Sequence, residues 1–509
     1  MSLTMEQFLA LQNGSDVRGV AMDGRPGEAV NLTAEAVNRI AAAYTTWLAG
    51  KTGKPLNELK IAVGVDSRLT GPALKGEALK AIIGTGAEGY DCGLASTPAM
   101  FMSIVFDEKV EPDFPAMDGS IMITASHLPF NRNGMKFFTA EGGLEKGDIK
   151  ELLMKAADTQ EISGSLKDAV SYPLIERYCN HLRGVICKGL GVAERDKPLS
   201  DMHIVIDAGS GAGGFFAGGV LEPLGADVSG SLYLAPDGMF PYHEPNPENA
   251  KAMESIRNGV LAAKADLGLI FDTDVDRMSA VLEDGTEVSR NALIAMIAAV
   301  LAPDYPGSTI ITDSVTSDEL AEFLTKELGL VHHRFQRGYK NVINECRRLN
   351  SEGTVSPLAI ETSGHGALLE NYYLDDGAYL AVKLVIAAAR ARREGRRLGD
   401  LIAKLGYPAE AEEYRLKITG VDNVANYGGI VLEAFEYRAK EAGIKIATPS
   451  YEGVRLVFPD GWALLRRSLH DPLLPLNVEG RRPGSVKAIV CQLRGLLSGF
   501  ENLDLNPLL

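Results

Sequence analysis

Three apolar segments of this chain end in the same way, with an aspartate followed at once by a small residue. They occupy residues 61–67, 204–210 and 309–314. Sequence with helical character follows each of them, over residues 71–85, 212–224 and 317–328. A strand, a polar turn and a helix in repeated order are typical of α/β domains. The repeat therefore predicts that most of the chain folds as similar α/β domains with mixed sheets.

The chain also contains the signals expected between domains, and its length of 509 residues is enough for about three or four of them. A polar stretch at 188–200 precedes the second repeat, and residues 283–289 have the composition of a hairpin turn before an apolar helix at 291–301. After a basic run at 390–397, strand and helix patterns mix around a Pro459-Asp460-Gly461 turn, which predicts a smaller α+β domain. The predicted domains are 1–195, 196–288, 289–406 and 407–509.

The composition excludes several classes of partner. A net charge of −16 argues against broad contacts with nucleic acid or an anionic membrane, although a few gathered Arg and Lys could still bind phosphate. Five scattered cysteines without a CxxC spacing predict reduced thiols, not a disulfide framework or a zinc site. The first residues do not resemble a secretory signal, and the longest apolar run, 292–302, is too short to span a bilayer. We therefore expect a cytoplasmic protein.

A group of carboxylates follows the apolar segment that ends at residue 271. Asp272, Asp274 and Asp276 alternate along the chain, and Arg277 follows them. Alternation along a strand would place the three side chains on one side, where a hard divalent cation is the natural partner. The spacing also resembles the first half of a calcium EF-hand loop, but that loop needs Gly where Arg277 stands and a helix where a strand is predicted. We reject the EF-hand and predict a metal site, with a solvated acidic turn as the alternative.

A serine stands in a comparable position after the strand-like residues 120–123. Ser126 would lie at the carboxyl end of a strand, where α/β domains bind ligands. A serine hydroxyl needs a base or charge support to act as a nucleophile, and Lys136 supplies a cation or proton carrier. A turn in which Thr124 and Ser126 only satisfy backbone groups explains the same residues, so both interpretations stay open at this point.

Two further polar segments carry groups suited to contact hydroxyls and phosphate. The first offers acceptors, a donor and a proton carrier, from Glu361, Ser363 and His365. The second offers the guanidinium, hydroxyl and imidazole of a phosphate clamp, from Arg466, Ser468 and His470. A plain polar loop for the first segment, and a basic strand end paired with Asp471 for the second, are the alternatives.

These segments, in this order, resemble the α-D-phosphohexomutase family, which contains phosphoglucomutases, phosphomannomutases and phosphoglucosamine mutases. The resemblance covers nearly the whole chain and includes residues 15–19, 65–68, 97–98 and 237–248. It implies three similar α/β domains and a smaller α+β C-terminal domain around a central active-site cleft. It also implies an isomerase that acts as an intramolecular phosphotransferase.

The resemblance further implies a role for each group. Ser126 is similar to the serine that is phosphorylated in the active enzyme. Asp272, Asp274 and Asp276, with a phosphoserine oxygen, would hold one Mg²⁺. The groups around the transferring phosphoryl would be Arg18, Lys136 and Arg277, with Lys136 or His365 as general acid/base. The groups that contact sugar hydroxyls would be Glu361, Ser363 and His365, and those that contact the non-reacting phosphate would be Arg466, Ser468 and His470.

The chain departs from the family pattern at several positions. Leu128 stands in place of the usual Asn, and Thr273, Val275 and Ile360 each stand in place of Gly. The last loop reads Ser468-Leu-His470-Asp471-Pro472, where the family has Ser-Gly-Thr or Ser-Asn-Thr followed by Glu-Pro. The serine and the carboxylates are intact, which favours catalysis, whereas the diverged C-terminal loop leaves the substrate open.

The expected reaction is the interconversion of hexose 1-phosphate and hexose 6-phosphate through a phosphoserine and a bisphosphorylated sugar, as part of carbohydrate metabolism. Glucose or mannose phosphates are favoured, and hexose 1,6-bisphosphate is the expected activator. A monomer or homodimer without nucleic-acid or membrane partners is expected. The alternatives are a phosphoglucosamine mutase, a non-catalytic phosphosugar-binding protein, and a phosphatase in which water intercepts the phosphoserine.

Overall fold

The computed structural model describes residues 3–106, 114–468 and 471–509. The chain separates into two compact units. Unit 1 comprises Met1–Arg290, Ser363–Ala367 and Leu374–Asp400, and unit 2 comprises Asn291–Thr362, Leu368–Tyr373 and Leu401–Leu509. The four-domain division given above is finer than this and stays a prediction.

The described strands, in chain order, are β1 (Gln12–Asn13), β2 (Asp16–Val20), β3 (Lys60–Val65), β4 (Glu88–Leu94), β5 (Gly119–Ile123), β6 (Arg132–Thr139), β7 (Gly142–Gly143), β8 (Val170–Ser171), β9 (Ile204–Asp207), β10 (Leu267–Phe271), β11 (Met278–Leu282), β12 (Glu287–Val288), β13 (Thr309–Thr312), β14 (Val331–Arg334), β15 (Leu358–Ile360), β16 (Gly366–Leu368), β17 (Glu410–Lys417), β18 (Lys445–Ile446), β19 (Val454–Phe458), β20 (Gly461–Leu465) and β21 (Leu473–Gly480).

The described α-helices are α1 (Met5–Leu9), α2 (Ala34–Thr52), α3 (Gly71–Gly84), α4 (Thr97–Val105), α5 (Lys146–Asp158), α6 (Leu174–Leu190), α7 (Ala250–Ala263), α8 (Asn291–Leu301), α9 (Asp318–Glu322), α10 (Tyr339–Ser351), α11 (Gly377–Arg393), α12 (Val424–Glu441) and α13 (Ser485–Leu497). Within the described ranges, none of these helices has the length and apolarity needed to cross a membrane.

The N-terminal sheet of unit 1 is mixed, with the strand order β1-β2-β6-β5-β3-β4-β8 and β7 paired to β6. Its central strands β5, β3 and β4 are parallel, and β6 returns antiparallel to β5. On one face, Ile121 and Ile123 join a core with α2, α3 and α5. On the other face, Ser120 Oγ donates to the Met100 carbonyl of α4 at 2.8 Å. Strand β5 is thus covered on both faces, and the loop that carries Ser126 begins at its carboxyl end.

The second sheet of unit 1 has the order β12-β11-β10-β9. Strands β9 and β10 are parallel, whereas β11 folds back antiparallel on β10. The chain between β10 and β11 is therefore a tight turn over residues 272–277 at the carboxyl end of β10. Helix α7 packs on this sheet through Ile256 and Val260, in a core that includes Val205 and Ile270.

The sequence with helical character at residues 212–224 does not form an α-helix. This part of the chain forms a wide π-type turn at Phe216–Leu221 and a tighter 3₁₀ turn at Glu222–Leu224. Its glycines lower helix propensity, and a Cβ at Gly219 would meet Cys179 Sγ of α6 at 2.6 Å. Close packing against α6 thus replaces regular helical geometry.

Unit 2 contains a group of parallel strands and an antiparallel sheet. Strand β13 lies between β14 and β15 and is parallel to both. The antiparallel sheet has the order β17-β21-β20-β19-β18, and its core includes Phe435 of α12 and Leu493 of α13. Strand β16 lies where the chain passes from unit 1 to unit 2. These sheets confirm the predicted fold class, mixed-sheet α/β domains followed by an α+β region.

The packing of α12 gives a test of the C-terminal core. Phe435 is fully buried, whereas Tyr437 on the same helix is 64% exposed. Replacing Phe435 by Ala removes a buried ring and leaves a cavity, so we expect the free energy of unfolding to fall by about 3–5 kcal/mol. Tyr437→Ala is the matched control and should change it by less than about 0.5 kcal/mol. Urea denaturation followed by circular dichroism measures both, and equal losses would contradict this placement of α12.

Candidate active site

The loop that carries Ser126 follows β5 and is held through its backbone. Thr124 Oγ1 donates to Asp66 Oδ2 at 2.7 Å and accepts from the Ser126 N–H at 2.9 Å. The buried guanidinium of Arg68 donates to the carbonyl oxygens of Ser126 and, at 2.8 Å, Pro129. Ser126 has a φ of +49°, a left-handed conformation that serine seldom adopts. The surrounding bonds therefore fix the direction of its side chain.

The carboxylates of Asp272, Asp274 and Asp276 occupy the turn between β10 and β11 and are fully or almost fully buried. One oxygen from each lies within 4.8 Å of the others. The expected cause of this convergence, strand alternation, is wrong, because β10 ends one residue before Asp272. A tight turn gathers the side chains instead, with Val275 at a φ of +68°. That conformation is strained for a β-branched residue and marks an over-determined turn.

The serine loop and the acidic turn meet inside unit 1. Ser126 Oγ lies 3.0 Å from Asp272 Oδ2, to which it donates, and 3.2 Å from Arg277 Nη2. Thr97, the first residue of α4, also contacts the acidic turn: its N–H donates to the Asp274 carbonyl at 2.8 Å, and its hydroxyl donates to the Asp274 carboxylate. Thr124 thus serves the backbone of the loop, while the Ser126 hydroxyl faces the carboxylates.

Charge around the acidic turn is only partly balanced. Burial, and then the charges of Asp276 and Asp274, raise the pKa of Asp272 well above its ordinary value. Burial acts in the same direction on Asp276, but neighbouring basic groups, led by Lys136, outweigh it and lower the pKa of that carboxyl. Asp274 Oδ1 and Asp276 Oδ1 are buried and have no hydrogen-bond partner among the described residues. Buried, unpaired carboxylate oxygens beside a hydroxyl are a donor set that fits a hard divalent cation.

Lys136 and Arg277 contact the acidic turn directly. Lys136 Nζ bonds to Asp276 Oδ2 and lies 3.1 Å from Asp274 Oδ2. Arg277 Nε lies 3.6 Å from Asp272 Oδ2. Burial alone would lower the pKa of Arg277, but the nearby carboxylates outweigh it and the pKa is raised. Arg277 is thus a permanent cation beside the Ser126 hydroxyl.

Arg18 and His365 approach from other segments of unit 1. Arg18 Nη1 donates to the Thr124 carbonyl at 2.8 Å, so it lies at the serine loop. His365 Nδ1 lies 2.6 Å from Asp375 Oδ2 and 3.7 Å from Asp276 Oδ1. Burial alone would lower the pKa of His365, but these two carboxylates outweigh it and raise the pKa above its ordinary value.

The sequence analysis assigned no role to two groups at this site, Asp375 and His127. Asp375 precedes α11 and belongs to no motif, and the residues give no signal of its contact with His365. His127 Nδ1 lies 2.5 Å from Arg277 Nη2 and 3.3 Å from Ser126 Oγ. Burial, and then the charge of Arg277, lower the pKa of His127 to about 2, so its neutral ring accepts from Arg277. Its only sequence signal is adjacency to Ser126.

The remaining predicted residues divide between the units. Ser363 belongs to unit 1, Glu361, Arg466 and Ser468 belong to unit 2, and His470 lies outside the described residues. The predicted sugar-binding segment therefore crosses the boundary between the units.

Within unit 2, the side chains of Glu361, Arg466 and Ser468 contact neighbouring residues of the same unit. Glu361 Oε1 accepts from the Gly338 N–H at 2.6 Å. Arg466 Nη1 lies 3.9 Å from Glu452 Oε1, and burial lowers the pKa of Arg466. The Asp471 N–H donates to Ser468 Oγ at 3.0 Å. Arg466 is thus a buried cation with a distant carboxylate partner, a suitable setting for an anionic ligand.

Comparison with known proteins supports one family. Three family models match successive parts of the chain, described as phosphoglucomutase/phosphomannomutase, alpha/beta/alpha domains I (residues 10–162), II (176–285) and III (289–406). The chain belongs to the α-D-phosphohexomutase family. It is a phosphohexomutase, an isomerase that acts as an intramolecular phosphotransferase.

Named relatives of this phosphohexomutase align with most of its length. It is 28% identical over 475 residues to a phosphomannomutase/phosphoglucomutase of Pseudomonas syringae pv. tomato. That alignment covers 93% of this chain and 92% of the relative. It is also 28% identical over 465 residues to a probable phosphoglucosamine mutase of Methanocella arvoryzae. That alignment covers 90% of this chain and 95% of the relative.

Solved structures share the fold of this phosphohexomutase. A phosphoglucomutase/phosphomannomutase family protein of Burkholderia thailandensis has a TM-score of 0.77 at 23% identity and covers 98% of both chains. An N-acetylphosphoglucosamine mutase of Aspergillus fumigatus, in complex with GlcNAc-6P and magnesium, has a TM-score of 0.52 at 11% identity. The match covers 89% of this chain and 80% of the Aspergillus fumigatus chain.

Asp272→Asn tests the charge balance of the acidic turn. Because the pKa of Asp272 is raised in the folded protein, the metal-free protein should lose stability as the pH rises from about 4 until this carboxyl ionises. Asn cannot ionise, so we expect the variant in chelator at pH 8 to be more stable than the unmodified protein by roughly 1–2 kcal/mol. Differential scanning calorimetry measures this.

Asp23→Asn, which changes an exposed carboxylate of unit 1, is the control and should leave the melting temperature unchanged. A metal-free Asp272→Asn variant that melts below the unmodified protein would contradict the inferred excess of negative charge.

Proposed function

We propose that this phosphohexomutase interconverts hexose 1-phosphate and hexose 6-phosphate through a phosphoserine at Ser126 and a bisphosphorylated sugar. The observation that carries the proposal is the position of Ser126 Oγ, 3.0 Å from Asp272 Oδ2 and 3.2 Å from Arg277 Nη2. A nucleophilic hydroxyl, a cluster of carboxylates that fits a cation, and a permanent cation are the parts that phosphoryl transfer needs.

The proposed reaction has two symmetrical transfers. In the first, the bond between phosphorus and Ser126 Oγ breaks while phosphorus bonds to the free sugar hydroxyl, and the hydroxyl proton passes to a base. In the second, the phosphate at the other end of the bisphosphate returns to Ser126 Oγ, and the same group donates a proton to the departing sugar oxygen. The serine is thereby phosphorylated again, so that hexose 1,6-bisphosphate acts as an activator when this phosphate is lost.

The described residues have distinct tasks in this scheme. Arg277, Lys136 and Arg18 would surround the phosphoryl group and offset its charge. His365 or Lys136 would be the general acid/base, and the raised pKa of His365 suits a group that holds a proton near neutral pH. One Mg²⁺ held by Asp272, Asp274, Asp276 and a phosphoserine oxygen would supply charge neutralisation at the transferring group. Magnesium in the Aspergillus fumigatus relative supports this choice of cation.

The substrate would be a small phosphosugar. Glu361, Ser363 and His365 would contact sugar hydroxyls, and the non-reacting phosphate would contact Arg466, Ser468 and His470. A clamp that accepts either end of the bisphosphate would let the intermediate turn round between transfers. Exclusion of water would protect the phosphoserine from hydrolysis, which separates a mutase from a phosphatase.

Glucose and mannose phosphates are the proposed substrates, as the name of the Pseudomonas syringae relative supports. The probable phosphoglucosamine mutase of Methanocella arvoryzae, at the same 28% identity, supports glucosamine phosphates as the second candidate. The diverged C-terminal loop is the proposed source of any change in specificity. Coupled assays with glucose, mannose and glucosamine 1-phosphates, each with trace bisphosphate, separate the two candidates. We further propose a monomer or homodimer that works in the cytoplasm.

Ser126→Ala should abolish mutase activity, by at least about 1,000-fold, because the variant lacks the hydroxyl that is proposed to accept the phosphoryl group. Intact-mass spectrometry should find one phosphate on the active protein and none on the variant. Ser171→Ala, which removes an exposed hydroxyl on β8, is the control and should retain full activity. A Ser126→Ala variant with normal turnover would refute the nucleophile.

Removal of divalent cations should reduce activity to background, because the buried carboxylates would then repel the phosphoryl group. We expect addition of Mg²⁺ after dialysis against chelator to restore turnover of glucose 1-phosphate. Circular dichroism of the dialysed protein is the control for loss of fold. Full turnover by protein shown to contain no divalent metal would refute the cation site.

A further inference from the structure

Residues 237–248 form a motif that the proposed function does not use, and the end of this motif contacts Arg277. Arg277 Nη1 lies 3.4 Å from Asn246 Oδ1 and 3.7 Å from Glu248 Oε2. Nη2 of the same guanidinium lies 3.2 Å from Ser126 Oγ. One end of the guanidinium thus contacts the motif, while the other reaches the hydroxyl that would carry the phosphoryl group.

The motif is tied to the second sheet of unit 1 by His243. Its Nε2 lies 3.1 Å from both carboxylate oxygens of Asp207, the last residue of β9, and its Nδ1 lies 2.9 Å from the Glu244 carbonyl oxygen. Burial alone would lower the pKa of His243, but its bond to Asp207 and the charge of that carboxylate outweigh it. A Cβ at Gly209 would meet Pro245 Cβ at 2.8 Å, so the chain is closely packed here.

Asn246 has its side chain oriented by the same motif. Asn246 Oδ1 accepts from the Glu248 N–H at 3.0 Å, and Nδ2 donates to Glu244 Oε1 at 3.3 Å. The residue is only 8% exposed. These contacts leave the amide one orientation, in which Oδ1 faces Arg277.

A guanidinium is planar and rigid, so a group that fixes Nη1 also determines where Nη2 lies. Phosphoryl transfer depends mainly on the placement of charge, and a shift of about 1 Å can cost about 100-fold in rate.

We propose that Asn246, supported by Glu248, is a positioning residue for Arg277: it holds the guanidinium so that Nη2 is directed at the phosphoryl group on Ser126. The inference rests on the proposed function, because it assumes that Ser126 carries the transferred group.

A double-mutant cycle tests whether Asn246 acts through Arg277. Asn246→Ala is made in the unmodified protein and in Arg277→Ala, and kcat and KM for glucose 1-phosphate are measured. We expect Asn246→Ala to lower kcat about 10- to 100-fold with KM changed less than about threefold. In the Arg277→Ala background its further effect should be less than about twofold.

Two variants control for general damage. Asn246→Asp keeps an acceptor oxygen toward Arg277, and its kcat should lie within about fivefold of the unmodified protein. Asn258→Ala removes an exposed amide on α7 and should change nothing. Melting temperatures are recorded for all variants. If Asn246→Ala is unstable, Glu248→Gln, which keeps the side-chain shape, takes its place in the cycle with the same dependence on Arg277 expected.

An unchanged kcat in Asn246→Ala, or an equal loss of kcat with and without Arg277, would overturn the inference while leaving the proposed function intact. Turnover by the unmodified protein is measured first. A protein that converts none of the hexose phosphates would refute the proposed function itself.

Discussion

Three carboxylates buried within 4.8 Å of one another are the interaction on which the rest of unit 1 depends. Each buried ion loses hydration, at several kcal/mol per ion, and the three repel one another. Lys136 and Arg277 offset part of this cost, but burial, and then the charges of Asp276 and Asp274, still raise the pKa of Asp272, so an excess of negative charge is only partly compensated when all three carboxyls are ionised. That excess is the physical basis for assigning a divalent cation to the turn.

The residues that hold the loops in place are different from the residues assigned to the chemistry. Asp66 and Asp207, at the ends of the repeated strands, accept from the N–H groups of Arg68 at 3.0 Å and Gly209 at 2.9 Å. They serve the backbone of the loops and leave the proposed chemistry to residues that follow other strands. Thr97, at the start of α4, contacts the acidic turn at Asp274. In α/β proteins, the functional groups usually lie on the loops that follow rigid strand ends.

The sequence allowed the local features to be predicted, because they depend on neighbouring residues. Helix α8 has its predicted bounds, and the apolar run before Asp272 forms β10. The carboxylates of Asp272, Asp274 and Asp276 do not alternate along a strand as predicted, because β10 ends at Phe271 and the chain turns there.

The contacts that join distant parts of the chain could not be read from residue patterns. Ser126 and Asp272 are 146 residues apart, and only the family resemblance brought them together before the structure did. The contacts of Asp375 with His365 and of Asn246 with Arg277 had no signal at all, since they depend on how separate elements pack. Contacts between separate elements are therefore where a structure adds most to a sequence.

The most direct test of the shared cation site is anomalous X-ray diffraction from crystals soaked in Mn²⁺, a substitute for Mg²⁺. The account predicts one strong peak about 2.0–2.4 Å from an oxygen of each of Asp272, Asp274 and Asp276, on the side that faces Ser126 Oγ. A site without such a peak at saturating Mn²⁺, or a peak held by other residues, would contradict it.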